Sequence, residues 1–375
     1  MQLLNPALRA LRTPQKIKAD PNISTTPNLR LVSPQATHPT TRLSYSSGAD
    51  GQARSRNLQS DGQAAGPLDQ RDQLTVTFGT GEITGVFLRD DVCIGHLCAN
   101  MEFIGASHET AEPFGSFDFD GVLGLALPQM TQGTHFSIMD RMEAAGNLRH
   151  PIFSVFLSDS DEEDSEITFG DVKEERMVGS MFWVPVSRQT GYWQVQMEDI
   201  AIGNKQQNLC SDCQVAVDTG TSMLAGPSAV IGELTKRLNV APDCSNYQEL
   251  PDLGFVVAGH VMNLKPSDYV DKSAGSCSPS LMSLDVPPPN GPLFIFGDPF
   301  LRKFYSAYDL RRHRVGFAVA RHVGVPEARA QAGSSDVRVH RGPHIRRLWD
   351  LMRGTADFLG TLNSVVIRKG IQSCI

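Results

Sequence analysis

The stretch Val215-Ala-Val-Asp218-Thr-Gly-Thr-Ser-Met-Leu224 limits what this chain can be more than any other. A short β-type apolar run buries Val215 and Val217 and carries Asp218 to its end. Gly220 then permits a sharp turn that a Cβ would resist. The hydroxyls of Thr219, Thr221 and Ser222, together with the turn amides, are placed to donate hydrogen bonds to the carboxylate. Such donors fix its orientation and make its charge tolerable in a partly buried place. An Asp-Thr-Gly alone is most often an ordinary turn, so its meaning depends on the rest of the chain.

From Gln73 onward the sequence is a succession of short alternating runs separated by turn residues. Leu74–Phe78, the turn Gly79-Thr80-Gly81 and Glu82–Leu88 predict a β-hairpin, and residues 89–105 predict a second. Further strands are expected at Ile152–Leu157, Ile167–Gly170, Met181–Val186, Tyr192–Met197, Ile200–Ile202, Phe255–Ala258, Val261–Leu264, Leu293–Phe296, Tyr305–Tyr308 and Val315–Ala320. Gly203-Asn204 is a hairpin-turn signal, and short amphipathic helices are expected over 135–146 and 228–239. This pattern describes a mostly β body. Asp159 to Glu166 reads as a solvated acidic loop. Val122-Leu123-Gly124 and Ile295-Phe296-Gly297 repeat one element, two apolar residues and a glycine. In a duplicated fold, each half would own one and pack it against an aspartate turn.

The 375 residues suffice for two domains. Residues 1–68, rich in Ser, Thr, Pro, Gln and Gly, read as irregular or disordered, and Asn22-Ile-Ser24 is a glycosylation sequon only if secreted. A net charge of −7 does not suggest a nucleic-acid partner. From Arg321 to the end, nine Lys/Arg face four Asp/Glu. From His344 the apolar spacing is roughly helical, so 344–370 predicts a basic amphipathic helix suited to an acidic or membrane surface, or an ordinary surface helix. No run of eighteen apolar residues exists to span a membrane.

Seven cysteines suggest three local pairs and one orphan, Cys374. Cys93 and Cys98 become cross-strand neighbours if Gly95-His96 is a hairpin turn; Cys244 and Cys277 bracket β-like sequence; Cys210 and Cys213 precede the aspartate strand. Cys-x-x-Cys also suits a redox or zinc site, but no second pair or His cluster supports one. The pairing favours a secretory, endolysosomal or extracellular compartment over the cytosol. Against it, Met1–Asp20 makes a poor secretory apolar region, being broken by Asn5, Pro6 and Arg9.

The ordered motifs from Gln73 to Ala320 resemble pepsin-like aspartic endopeptidases of the cathepsin D type. The matching pieces are Thr77-Phe78-Gly79-Thr80-Gly81, Phe119-Asp-Gly-Val-Leu-Gly124, Trp183-Val-Pro-Val186, Gly191-Tyr-Trp-Gln194, Val217-Asp-Thr-Gly-Thr-Ser222 and Phe296-Gly-Asp-Pro-Phe-Leu-Arg302. The resemblance implies a bilobal β fold in which one aspartate per lobe shares a water and a proton, acting as a coupled pair. Pepsin is a standard example of that chemistry. It needs no metal or organic cofactor and acts on polypeptides, usually as a monomer. Asp218 matches the second-lobe catalytic aspartate; Thr219, Gly220, Thr221 and Ser222 its turn; Phe78, Gly79 and Thr80 the flap over the substrate. Leu284 matches a cleft-lining position, and Cys244–Cys277 and Cys210–Cys213 match family disulfides, the latter one residue tighter than usual. The implied organisation is an N-terminal segment 1–68, a partial first lobe 69–172, a complete second lobe 173–320 and an extension 321–375.

Two departures qualify this. The flap carries Phe78 where the family has Tyr, and no Asp-Thr/Ser-Gly precedes it. Of the upstream aspartates, Asp20, Asp50, Asp61, Asp69 and Asp72, none follows an apolar strand into such a turn. The expectation is an aspartic endopeptidase whose first catalytic segment is missing from this sequence, through a mis-joined exon or alternative start. The alternative is a pseudoprotease that binds peptides or protein partners, and more remotely a lectin-like or inhibitor β protein.

Overall fold

A computed structural model of the chain describes residues 28–30, 42–45, 56–57, 73–77, 82–94, 97–114, 121–160, 163–211, 213–273, 275–324 and 364–367. The chain forms two compact units, one from Met1–Pro151 with Thr355–Ile375, the other from Ile152–Gly354. The expected first lobe, 69–172, runs past this division. Strands Ile152–Phe156 and Glu166–Phe169 hydrogen-bond with each other and, through Phe304–Asp309, join the second unit's sheet.

The first unit is organised on one long strand, Glu82–Ile94. Leu97–Glu109 pairs along its whole length, while Gln73–Thr77, Arg56–Asn57 and Arg42–Tyr45 share its other edge in succession. The two predicted hairpins are therefore one meander with a common middle strand. Asn28–Arg30 adds to Arg42–Tyr45, so the expectation of irregular structure throughout 1–68 is corrected at these short strands. The alternation in Arg42-Leu-Ser-Tyr45 allows it, with Leu43 paired opposite Ile94. Gly85 stands at a register shift, where a Cβ would lie 2.4 Å from the Gly105 carbonyl oxygen. Only glycine allows that approach.

Val76, Ile83, Ile104 and Phe114 form one buried cluster of this unit, and Phe87 packs edge-to-face on Phe136 at 5.1 Å. The helix Ile138–Ala144 buries Ile138, Met139 and Met142, and Ser137 caps it by accepting from the Asp140 amide. Cys93 and Cys98 face each other across the meander and are disulfide-bonded. The strand Gly121–Gly124 pairs antiparallel with Ser364–Ile367. This corrects the expected helix at those four residues, since β-branched Val365, Val366 and Ile367 suit an extended ladder. The remainder of 325–375 lies outside the described residues.

The second unit holds three larger sheets. The first runs Met177–Pro185, Arg314–Ala320, Phe304–Asp309, Ile152–Phe156, Glu166–Phe169, all antiparallel. The second runs Gln194–Met197, Cys213–Val217, Phe294–Phe296, Leu224–Gly226, Leu281–Ser283. The third is four-stranded, two hairpins joined edge to edge through Asp199–Ile202 and Leu253–Val257. Its tight turns use Gly203-Asn204 and Ala258-Gly259, all at positive φ. The core is aromatic: Phe296 stacks on Phe300 at 3.9 Å, Phe255 packs edge-to-face on Phe296, and Phe153 stacks on Tyr308 at 4.5 Å beside Trp193. The helix Ser228–Leu238 buries Ile231, Leu234 and Leu238 and ends at left-handed Asn239.

Cys244–Cys277 is a disulfide as expected; Cys210–Cys213 is not. The Asp199 carboxylate accepts hydrogen bonds from the successive amides of Asn208, Leu209 and Cys210, while Cys213 is held in the ladder opposite Met197. The two cysteine side chains hydrogen-bond to each other instead of joining. That hydrogen bond first, and burial second, push the Cys210 thiol well above its usual range.

Candidate active site

The strand Cys213–Val217 lies between Gln194–Met197 and Phe294–Phe296, antiparallel to the first and parallel to the second. Val215, Ala216 and Val217 are fully buried, as the apolar run predicts. The Val217 amide donates to the Trp193 carbonyl at 3.0 Å, and the Asp218 amide to the Phe296 carbonyl at 3.0 Å. Asp218 therefore leaves the strand with its backbone tied to both neighbours.

Its carboxylate is 1% exposed and held on both oxygens. The Gly220 amide donates to Oδ1 at 2.9 Å, and the Thr221 hydroxyl donates to Oδ2. Two donors of this kind favour the charged form and fix which way each oxygen points. Gly220 is not among the residues at positive φ; its part here is the amide. Thr219 and Ser222 lie half-buried in the same turn.

The turn is itself supported from below. The Thr221 carbonyl accepts from the Asp298 amide at 2.9 Å. At Gly297 a Cβ would lie 2.2 Å from the Thr221 oxygen and 2.3 Å from the Met223 oxygen, so the backbone of 297 passes against the turn where no side chain fits. Asp298 is buried and its Oδ2 lies 3.4 Å from Arg302. Burial raises its carboxyl above the usual range against the opposing charge and hydrogen bond of Arg302.

Tyr192 is the feature that sequence reasoning missed. Its side chain is 1% exposed, and its hydroxyl has no hydrogen-bond partner among the described residues. Burial, and secondarily the charge of Asp218, push its phenol upward; Tyr308 is raised by burial with a smaller contribution from the same charge. Both phenols stay neutral, and that of Tyr192 is a donor held within the field of Asp218. The only sequence signal was its place in Gly191-Tyr-Trp-Gln194, which named no role.

Leu284 follows the strand Leu281–Ser283, which pairs with Leu224–Gly226 just beyond the aspartate turn. It is buried, and its amide donates to the Gly226 carbonyl at 2.7 Å. The fold thus brings Leu284 into the sheet that carries Asp218. Phe78, Gly79 and Thr80 lie outside the described residues. The strands they join, Gln73–Thr77 and Glu82–Ile94, pair as a hairpin with Thr77 opposite Glu82.

Similarity to known proteins points the same way. The eukaryotic aspartyl protease family matches residues 50–320. Cathepsin E of Oryctolagus cuniculus is 36% identical over 261 residues, covering 66% of this chain and 65% of that protein. Cathepsin E of Rattus norvegicus is 34% identical over 272 residues, covering 69% and 68%. Pepsin A of Bos taurus is 36% identical over 258 residues, covering 65% and 68%. The chain thus spans about two thirds of the length of these relatives. With its motifs in family order, Asp218 cradled by Gly220 and Thr221, and the match reaching from residue 50 to the last core strand, the chain is a mostly β, bilobal member of the eukaryotic aspartyl protease family.

Proposed function

We propose that the protein is an aspartic-type endopeptidase in which Asp218 is one of two carboxylates that activate a water against a peptide carbonyl. The observation that carries this reading is the cradle of Asp218. A carboxylate held by an amide on one oxygen and a hydroxyl on the other, at the end of a buried strand, is arranged to orient a nucleophile's proton transfer. In the full reaction the charged member of the pair takes a proton from water, while the protonated member donates to the carbonyl oxygen. Tyr192 adds a buried, neutral phenol to the field of Asp218, beside the two donors that hold the carboxylate. Flap residues Phe78, Gly79 and Thr80 close over the substrate, and Leu284 lines its binding site. No metal or organic cofactor enters this chemistry.

The shared-proton step needs two carboxylates, and no Asp-Thr/Ser-Gly precedes Asp218 in this sequence. Peptidase action therefore belongs to a form of the protein whose first catalytic segment is joined differently. That same lone aspartate favours a second reading, a pseudoprotease that binds peptides without cutting them. The two disulfides support a secretory, endolysosomal or extracellular setting. The basic segment 344–370 remains proposed as a contact for acidic or membrane surfaces.

The test has two arms. Purified 1–375 is expected to show no acid-dependent cleavage of a denatured protein substrate. Cleavage abolished by Asp218→Ala would overturn that expectation. Transcripts of the gene are expected to include a form encoding an apolar-apolar-Asp-Thr/Ser-Gly segment upstream; their absence from all transcripts would leave the pseudoprotease reading in place of the enzyme.

A further inference from the structure

The loop that follows strand Ile152–Phe156 and the residues just after strand Arg314–Ala320 meet at His322. This imidazole is 8% exposed and packs 5.2 Å from the Phe156 ring. Its Nε2 lies 2.7 Å from the Arg302 carbonyl oxygen, which can only accept, so Nε2 carries a hydrogen. Its Nδ1 hydrogen-bonds to Glu163 Oε1 and lies 3.4 Å from Asp159 Oδ1. The other oxygen of Glu163 accepts from the Val323 amide at 3.1 Å. Two carboxylates and one imidazole thus tie the loop to the exit of the last core strand.

The neighbouring charges leave the imidazole as their counter-charge. Arg302 pairs with Asp298, Lys303 lies 3.9 Å from Asp268, and Arg176, whose guanidinium sits over the Phe156 ring, pairs with Glu166, as does Lys173. Arg321 donates to the Met177 carbonyl. Asp268 adds negative charge towards Asp159. Both imidazole nitrogens and both Glu163 oxygens are hydrogen-bonded, three of them within the cluster or to the exit strand, so the cation that fits between them is a proton.

We propose that His322, Glu163 and Asp159 form an acid-set latch that fixes the point where the chain leaves the second unit, and that loses its hold as His322 gives up its proton. Burial lowers the imidazole's affinity for a proton, but the Glu163 hydrogen bond and the charges of Asp159 and Glu163 outweigh it, leaving His322 raised above its usual value. Its contribution is complete below the unfolded value of about 6.5 and is lost as pH rises through the folded value. Asp159 is pushed up to about 6, chiefly by burial, so its protonated form also favours the folded state, a contribution that fades as pH rises from the usual carboxylate value towards about 6, below the range in which His322 gives up its proton. Glu163 acts oppositely: burial would raise it, but the His322 hydrogen bond and charge hold it below its usual value, so its share is lost only in stronger acid. The latch is therefore tightest in mild acid.

The test follows the full-length chain by NMR. The His322 ring is expected to titrate above the free imidazole value, and protection of the Val323 amide against hydrogen exchange, corrected for intrinsic rates, to fall about tenfold or more from pH 5 to pH 8. His322→Gln can hydrogen-bond but not charge, so it should flatten that dependence; Glu163→Gln should lower protection at both pH values. A ring titrating at or below the free value, or the same pH curve in wild type and His322→Gln, would overturn the proposal. So would zinc chloride restoring Val323 protection at pH 7.5 in wild type alone, which would mark a metal site instead.

Discussion

Two strands of the same make, Gly121–Gly124 and Phe294–Phe296, meet different partners. Phe294–Phe296 pairs in parallel with Val215–Val217, and its Phe296 carbonyl receives the amide of the aspartate that follows. Gly121–Gly124 pairs antiparallel with Ser364–Ile367, a segment with no aspartate in or next to it. The apolar-apolar-glycine element thus asks only for a ladder partner. What chemistry arises there depends on what that partner carries, and the two units differ in that respect.

Breaking each half of this comparison should cost different amounts. Replacing Cys244 and Cys277 by Ala opens a closed loop of 33 residues' separation in the second unit and should destabilise that unit by ~4 kcal/mol on the loop-entropy model. The corresponding change at Cys93 and Cys98, separated by 5, should cost ~2 kcal/mol in the first unit. Denaturant unfolding read by unit-specific probes measures both; equal losses would contradict the difference. Gly297→Ala places a methyl against two carbonyl oxygens under the aspartate turn and should cost about 3 kcal/mol. If Gly124→Ala costs as much in the same unfolding experiment, the two glycines are equivalent and the contrast fails.

Thr221→Val keeps the side-chain shape but removes the donor to Asp218, an effect on the order of 2 kcal/mol for a bond to a charged acceptor. Stability should fall by that amount, which thermal melts of wild type and variant check; an unchanged melting temperature would show that the hydroxyl does not hold the turn. The smallest effect is expected from ending the chain before Ser364. Amides of 122–124 should exchange faster, by roughly the ~1 kcal/mol of a short edge ladder, with the second unit untouched. Slower exchange there would mean that Ser364–Ile367 strains the strand it pairs with.

Much of this was legible in the residues. Alternation and turn chemistry marked most strands of the second unit, down to the Gly203-Asn204 turn, whereas Ala258, expected at the end of a strand, lies in a turn with Gly259; Asp218 and Thr221 stood out through the family motif they match. Other features were not legible, for physical reasons. Short strands such as Asn28–Arg30 carry too few residues for a period to show, and their formation is decided by the edge they meet. Val365-Val366 fits a helical stripe and a strand equally well, and tertiary pairing decided between them. Cys210 and Cys213 have the spacing of a pair, but in the structure their side chains hydrogen-bond to each other without joining, a state that spacing does not reveal. Tyr192 was hidden because an orphaned hydroxyl is a property of surroundings rather than of sequence.

The parallel pairing of Val217 with Phe296 also has a consequence for assembly in time. Asp218 leaves the ribosome well before the carbonyl that seats its amide; with synthesis at about 5–20 residues per second, the delay over these roughly 80 residues is ~4–16 s. Until Phe296 arrives, the aspartate turn has no floor, and the intervening helix Ser228–Leu238, hairpin Leu253–Leu264 and disulfide loop can fold first. The site is therefore among the last parts of the second unit to take shape, and a ribosome stalled between these two strands would display a folded scaffold without it.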